Sequence, residues 1–160
     1  MSKISIIMGS ASDLETVNET INVLKSFEVS FEIKVLSAHR APKDLAQYVE
    51  AAPKKGTRVF ICAAGGAAAL AGVVAAHTVL PVVGIPIETK SLKGMDSLLS
   101  TVQMPAGVPV ASMAIGRAGA RNAALFALEI LGVSDTKIAD KLIKYKKQMR
   151  LKIKNTKLGR

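Results

Sequence analysis

Short apolar runs rich in β-branched residues alternate along this chain with longer stretches in which apolar positions return every three to four residues. The first pattern predicts strands at Ile4 to Met8, Phe31 to Leu36, Val59 to Ala63, Val82 to Ile85 and Val110 to Ala114. The second predicts helices over Asp13 to Phe27, Pro42 to Lys54, Ala67 to His77, a short piece around Ser97 to Val102, and residues 117 to 131. Pro42 suits a first helical position, Gly132 can end a helix, and Ser134 with Asp135 can start a last one.

Mostly apolar strands need cover on both faces, and strands separated by helices pair in parallel. The fold expected is therefore α/β: a three-layer, flavodoxin-like, doubly wound parallel sheet with an extra C-terminal helix. No linker, repeat or low-complexity tract divides the chain, so residues 1–160 read as a single domain ending in a basic helix and tail over 134–160.

Composition adds that the core is aliphatic, since 49% of the 160 residues are hydrophobic and only two Tyr and four Phe are aromatic. Glycines, prolines and His77 break the apolar stretch 61–87 into pieces, so no membrane span is expected. The N-terminus does not read as a secretory signal, which makes the cytoplasm the default location. The single cysteine, Cys62, sits in an apolar strand and reads as a buried, inert thiol. The net charge of +10 is concentrated at the end, because residues 141–160 hold nine basic and no acidic residues. Leu142, Tyr145, Met149 and Ile153 recur there at helical spacing, so this segment reads as an amphipathic packing helix rather than a nucleic-acid arm.

Three strand-to-helix corners carry the candidate chemistry. Gly9-Ser10-Ala11-Ser12-Asp13 allows a tight bend and offers hydroxyls, a carboxylate and the free N–H groups of a helix start, a combination that suits a phosphorylated sugar. Ser37-Ala38-His39-Arg40-Ala41-Pro42 adds an imidazole and a guanidinium. Ala64-Gly65-Gly66-Ala67-Ala68-Ala69 lets backbone approach a flat ligand closely. In a doubly wound sheet all three lie at the carboxyl ends of strands, where loops converge on ligands.

Taken in order with Asp96-Ser97-Leu98 and Gln103-Met104-Pro105-x-Gly107-x-Pro109-Val110, these motifs cover residues 3–135 and resemble the catalytic-subunit family of phosphoribosylaminoimidazole carboxylase. More narrowly, they resemble its bacterial branch, the 5-(carboxyamino)imidazole ribonucleotide mutases of purine synthesis. The resemblance implies a homo-oligomer, an octamer, with no metal and no organic cofactor. It also implies a ribonucleotide substrate, supplied by an ATP-dependent carboxyaminoimidazole ribonucleotide synthetase, and neither a membrane nor a nucleic-acid partner.

The family's reaction moves a carboxylate from an exocyclic amine to a ring carbon. Such a migration needs one group that protonates the carbamate nitrogen and later removes the ring proton, and a side chain that titrates near neutrality can do both. By resemblance that group is His39, with Arg40 on the phosphate, Asp13 on the ribose hydroxyls, and Ser10, Ser12, Ser37 and Ala38 beside them. Ala64, Gly65, Gly66 and Leu70 then meet the base and its carboxylate. The mutase branch usually continues Ala-Ala-His-Leu-Pro-Gly, whereas this chain reads Ala67-Ala68-Ala69-Leu70-Ala71-Gly72. The alternatives are an enzyme that carboxylates the aminoimidazole directly with carbon dioxide, or a weakly active family member owing to Ala69. The animal branch that carboxylates directly carries Gly-Arg-Ser-Asn where Gly65-Gly66-Ala67-Ala68 stand. His77, at a helix end, reads as a surface or capping residue.

Overall fold

Five consecutive fully or almost fully buried residues, Ile4–Met8, form β1, the strand around which the sheet is built. In the computed structural model, which describes residues 3–156, β1 pairs in parallel with β2 (Phe31–Val35) on one side and β3 (Val59–Ala64) on the other. β3 in turn pairs with β4 (Val82–Pro86), and β4 with the short β5 (Ala111–Ser112). The order β2-β1-β3-β4-β5 places the β1–β3 switch point at the centre, and helices lie on both sides of the sheet. The chain is divided into two compact units, Met1–Ala127 and Leu128–Arg160, and the sheet belongs wholly to the first.

The helices are α1 (Leu14–Ser26), α2 (Pro42–Ala51), α3 (Leu70–Ala76), α4 (Met95–Val102), α5 (Gly116–Gly132) and α6 (Thr136–Lys154). On one face of the sheet Ile7, Phe60, Cys62 and Val82 pack with Leu45 and Val49 of α2 and Leu70 and Val74 of α3. Alternation along the strands sends Ile6, Ile61 and Val83, also fully buried, to the opposite face. Each such side chain contributes about 1.5–3 kcal/mol by leaving water. The Cys62 thiol lies within this packing, and burial pushes its pKa well above the ordinary range.

The alanines of α5 serve close approach within the first unit. Ala120, Ala123, Ala124 and Ala127 are fully buried, and the Ala120 carbonyl accepts from the Thr20 hydroxyl of α1 at 2.7 Å. A side chain at Gly119 would drive its Cβ into the Ala114 carbonyl, so only glycine fits. In the second unit, Asp135 caps α6 by accepting from the Ile138 N–H at 3.4 Å, while Ile138 and Leu142 are buried and Met149 and Ile153 remain exposed. Residues 157–160 of the basic tail lie outside the described residues.

Several boundaries differ from the sequence expectation. Pro53 has no N–H to give, so the second helix stops at Ala51 and continues as a 3-10 turn over Ala52–Lys55 instead of running to Lys54. The third helix begins at Leu70, not Ala67, because Ala68 and Ala69 donate to the carbonyls of Gly66 and Ala67 two residues back. The first helix is preceded by a separate 3-10 turn, Ala11–Asp13. The fourth helix starts earlier, at Met95, after Gly94 in a left-handed conformation. The last strand shrinks to Ala111–Ser112, which pair only with Val83 and Gly84 at the sheet edge.

Candidate active site

The first corner is held by its own hydrogen bonds. Ser10 caps the 3-10 turn: its Oγ accepts from the Ser12 N–H at 3.3 Å, and its own N–H donates to Asp13 Oδ2 at 3.2 Å. The Ser12 hydroxyl lies 2.9 Å from Ser10 Oγ and 3.4 Å from Asp13 Oδ1. Asp13 is only 7% exposed. Burial raises its pKa, against the lowering effect of the Ser10 N–H and the Ser12 hydroxyl. A carboxylate held this way has acceptor capacity left for a sugar hydroxyl.

Pairing of the Leu36 N–H with the Met8 carbonyl, at 2.9 Å, carries the chain from β2 into the second corner. There the Ser37 hydroxyl accepts from the Arg40 N–H at 3.2 Å, and the Ser37 carbonyl from Ala41 at 3.0 Å. The Arg40 guanidinium reaches across to the first corner, where Nη2 donates to the Gly9 carbonyl at 3.0 Å while Nε lies 3.4 Å from Ser37 Oγ. Two corners 31 residues apart are thereby locked together by a cation whose other N–H groups remain available. His39 stands exposed between them, and no described residue hydrogen-bonds its ring.

The third corner follows β3. Gly66 adopts φ +67°, a left-handed conformation open to glycine, and its N–H donates to the Ser97 hydroxyl of α4 at 3.0 Å. Among the described residues neither the Gly65 nor the Ala67 N–H has a protein acceptor, which leaves both for an anionic group. A fourth wall was not foreseen from sequence. Residues Ile87 to Thr89 leave β4, where the Ile87 N–H donates to the Ala64 carbonyl at 3.0 Å, and Thr89 donates to Asp96 Oδ1 at 2.8 Å. Polar residues directly after an apolar strand were the available signal.

These segments enclose a cleft of about 560 Å³. Of the residues expected from sequence, Ser10, Ser12, Asp13, Ser37, Ala38, His39, Arg40, Ala64, Gly65 and Leu70 line it, and Gly66 does not. Gly9, Ala67, Ala68, Ala69, Ile87, Glu88 and Thr89 complete the lining. His77 lies apart as the C-cap of α3, with Nδ1 3.0 Å from Glu50 Oε1. Among the described residues no group of three or more His, Cys, Asp or Glu is placed to hold a metal ion, and no helix is long and apolar enough to cross a membrane.

Comparison with known proteins bears on this cleft. A family model described as AIR carboxylase matches residues 3–152. Among curated relatives, the N5-carboxyaminoimidazole ribonucleotide mutase of Saccharolobus solfataricus is 51% identical over 158 residues, covering 99% of both chains. The mutase of Pyrococcus abyssi is 53% identical, covering 94% of this chain and 85% of its own, and that of Bacillus subtilis 52% identical, covering 87% and 86%. The crystal structure of Treponema denticola PurE superposes with a TM-score of 0.85 at 28% identity, covering 94% of this chain and 92% of that one.

Proposed function

The chain belongs to the AIR carboxylase family, and from that premise we propose that it acts as a mutase in purine synthesis with His39 as its acid and base. It converts 5-carboxyamino-1-(5-phosphoribosyl)imidazole to 5-amino-1-(5-phosphoribosyl)imidazole-4-carboxylate. The observation that carries this reading is near full-length identity of about half to several mutases, joined to a cleft that gathers an imidazole, a guanidinium and a glycine corner.

The chemistry closes on one histidine. Protonated His39 gives its proton to the carbamate nitrogen, the C–N bond breaks, and carbon dioxide and the aminoimidazole ribonucleotide are left in the cleft. The ring carbon attacks the carbon dioxide, a C–C bond forms, and neutral His39 takes the proton that this carbon loses. Protons and charge return to the starting state, so the net reaction is an isomerisation. Arg40, fixed by Gly9 and Ser37, presents its remaining N–H groups to the phosphate. Asp13, Ser10 and Ser12 hold the ribose, and Ser37 and Ala38 shape the floor beside His39. Ala64, Gly65 and Leu70 face the base, where the free N–H groups of the glycine corner meet the carboxylate or the released carbon dioxide. Gly66 acts from behind this wall through its backbone conformation.

The assembly we propose is a homo-oligomer, an octamer. Supporting it are exposed apolar residues on α4 and the loop before it, Leu92, Met95, Leu99 and Val102, and Ile33 and Val35 on the edge strand β2. The basic helix α6 packs within that assembly rather than on nucleic acid. The setting is cytoplasmic, with an ATP-dependent carboxyaminoimidazole ribonucleotide synthetase supplying the substrate. Light scattering at micromolar concentration is expected to give eight times the chain mass, and a monomer refutes the assembly.

The decisive assay follows conversion of the carbamate substrate with and without added bicarbonate. A mutase turns over without bicarbonate. Conversion that requires it and starts from the free aminoimidazole ribonucleotide would establish direct carboxylation instead.

A further inference from the structure

Behind the cleft, the first turn of α4 holds two of its walls together through a single hydroxyl. Ser97 is fully buried. Its Oγ donates to the Ile87 carbonyl at 2.7 Å and accepts the Gly66 N–H at 3.0 Å. A serine hydroxyl has one proton to give and lone pairs to receive, so this bridge uses its donor fully. One partner sits on the glycine corner after β3 and the other on the loop after β4, two segments that line the cleft.

The corner is tied at its start by the Ile87 N–H on the Ala64 carbonyl, but Gly66 itself has little else to fix it. A Cβ built on Gly66 would find nothing within 4 Å, so side-chain packing does not restrain that position. The Ala68 and Ala69 N–H groups donate to carbonyls two residues back, and the Ala69 carbonyl accepts from Val73 at the start of α3. The Gly66 carbonyl has a long contact, 3.4 Å, with the Ser100 hydroxyl, which donates at 2.7 Å to the Asp96 backbone carbonyl. The Gly66 N–H belongs to the peptide plane joining Gly65 to Gly66, and holding it fixes where the neighbouring N–H groups of Gly65 and Ala67 aim.

We propose that Ser97 is a positioning residue of this site: its hydroxyl clamps the glycine corner to the loop after β4 and so aims the corner's free N–H groups at the migrating carboxyl. The inference rests on the mutase reading, and it separates two ends of the substrate. Arg40, Asp13 and Ser10 grip the ribose-phosphate on the far corners and do not depend on the clamp. Losing Ser97 therefore leaves substrate capture intact while carbon dioxide is held poorly between its release and its recapture.

Ser97→Ala, Ser97→Thr and Ser97→Cys test this in the full-length protein, with kcat, KM, the ratio of carboxylated to decarboxylated product and amide exchange at Gly66 as readouts. With one buried hydrogen bond lost on each side, Ser97→Ala is expected to exchange the Gly66 amide about tenfold faster and to lose about tenfold in kcat, with KM within about threefold. Its product shifts toward the decarboxylated ribonucleotide, and Ser97→Thr, which keeps the hydroxyl, recovers kcat and the ratio. A folded Ser97→Ala protein with kcat and product ratio within about twofold of wild type overturns the proposal, as does failure of Ser97→Thr to improve on it. Should Ser97→Ala not fold, Ser97→Cys fills the same space with a weak donor and is judged by the same criteria. A wild-type protein that does not convert the carbamate refutes the mutase reading, whereas an unchanged Gly66 exchange rate in Ser97→Ala refutes the clamp itself.

Discussion

Replacing Arg40 with lysine keeps the charge and removes the geometry, which makes it the sharpest probe of the phosphate end. A guanidinium carries five N–H donors. Two of them are spoken for, Nη2 on the Gly9 carbonyl at 3.0 Å and Nε toward Ser37 Oγ at 3.4 Å, and this leaves a two-pronged edge for a phosphate. A lysine ammonium is a single point on a flexible stem, so it either reaches the phosphate and abandons Gly9, or stays and gives up the phosphate. One charge-assisted hydrogen bond is lost in either case, worth about 1.5–3 kcal/mol, or a Kd weaker by about ten- to 150-fold. Calorimetric titration of the product ribonucleotide into both proteins, at one fixed salt concentration, measures it. The thermal midpoint serves as control, because it reports any loss of folding through the Gly9 and Ser37 contacts separately from the loss of binding. Equal affinity in the two proteins would mean that the guanidinium fork does not hold the phosphate.

Other substitutions probe the remaining roles. His39→Asn is expected to bind ligand normally and lose about a hundred- to ten-thousandfold in kcat, and turnover within a few-fold of wild type would demote His39 to a spectator. Ala69→His restores the residue usual in the mutase branch, and we expect the ratio of carboxylated to decarboxylated product to stay unchanged, with ligand tighter by about 1–2 kcal/mol; a rise in that ratio would place this position in carbon dioxide retention. Asp13→Asn addresses pH: because burial raises the Asp13 pKa, its contribution to stability is greatest below the unfolded-state value and is lost as pH rises through the folded one. The Asn variant, which never ionises, should therefore gain in urea midpoint relative to wild type as pH rises above the ordinary aspartate value of about 4, and a gap that moves the other way refutes this assignment.

Much of this architecture was legible in the residues, for identifiable reasons. β1 matched its expected bounds because four apolar residues among five, Ile4 to Met8 with Ser5 as the one polar position, between a charged residue and Gly9 admit little else. Helix ends were harder, since they turn on single groups: the missing N–H of Pro53, and the two short bonds by which Ala68 and Ala69 hold off the start of α3. Three corners could be placed at one sheet end because strand order and chain direction fix that much. That Ile87 to Thr89 line the cleft and Gly66 does not, with Gly66 and Ile87 both bonded to the Ser97 hydroxyl, is a fact of tertiary packing with no local pattern to announce it.

Cys62 gives this protein a built-in clock for global opening. It is the only thiol in the chain, it is 1% exposed in the middle strand, and it lies among side chains of β1, α2 and α3. A maleimide or aromatic disulfide reagent cannot reach it, and the protonated thiol would not attack one, until that packing comes apart. Labelling at trace denaturant would therefore report the rate at which the sheet opens, unaffected by fraying at the chain ends. Ligand in the cleft should slow that labelling in proportion to its occupancy, which yields an affinity without any catalytic turnover.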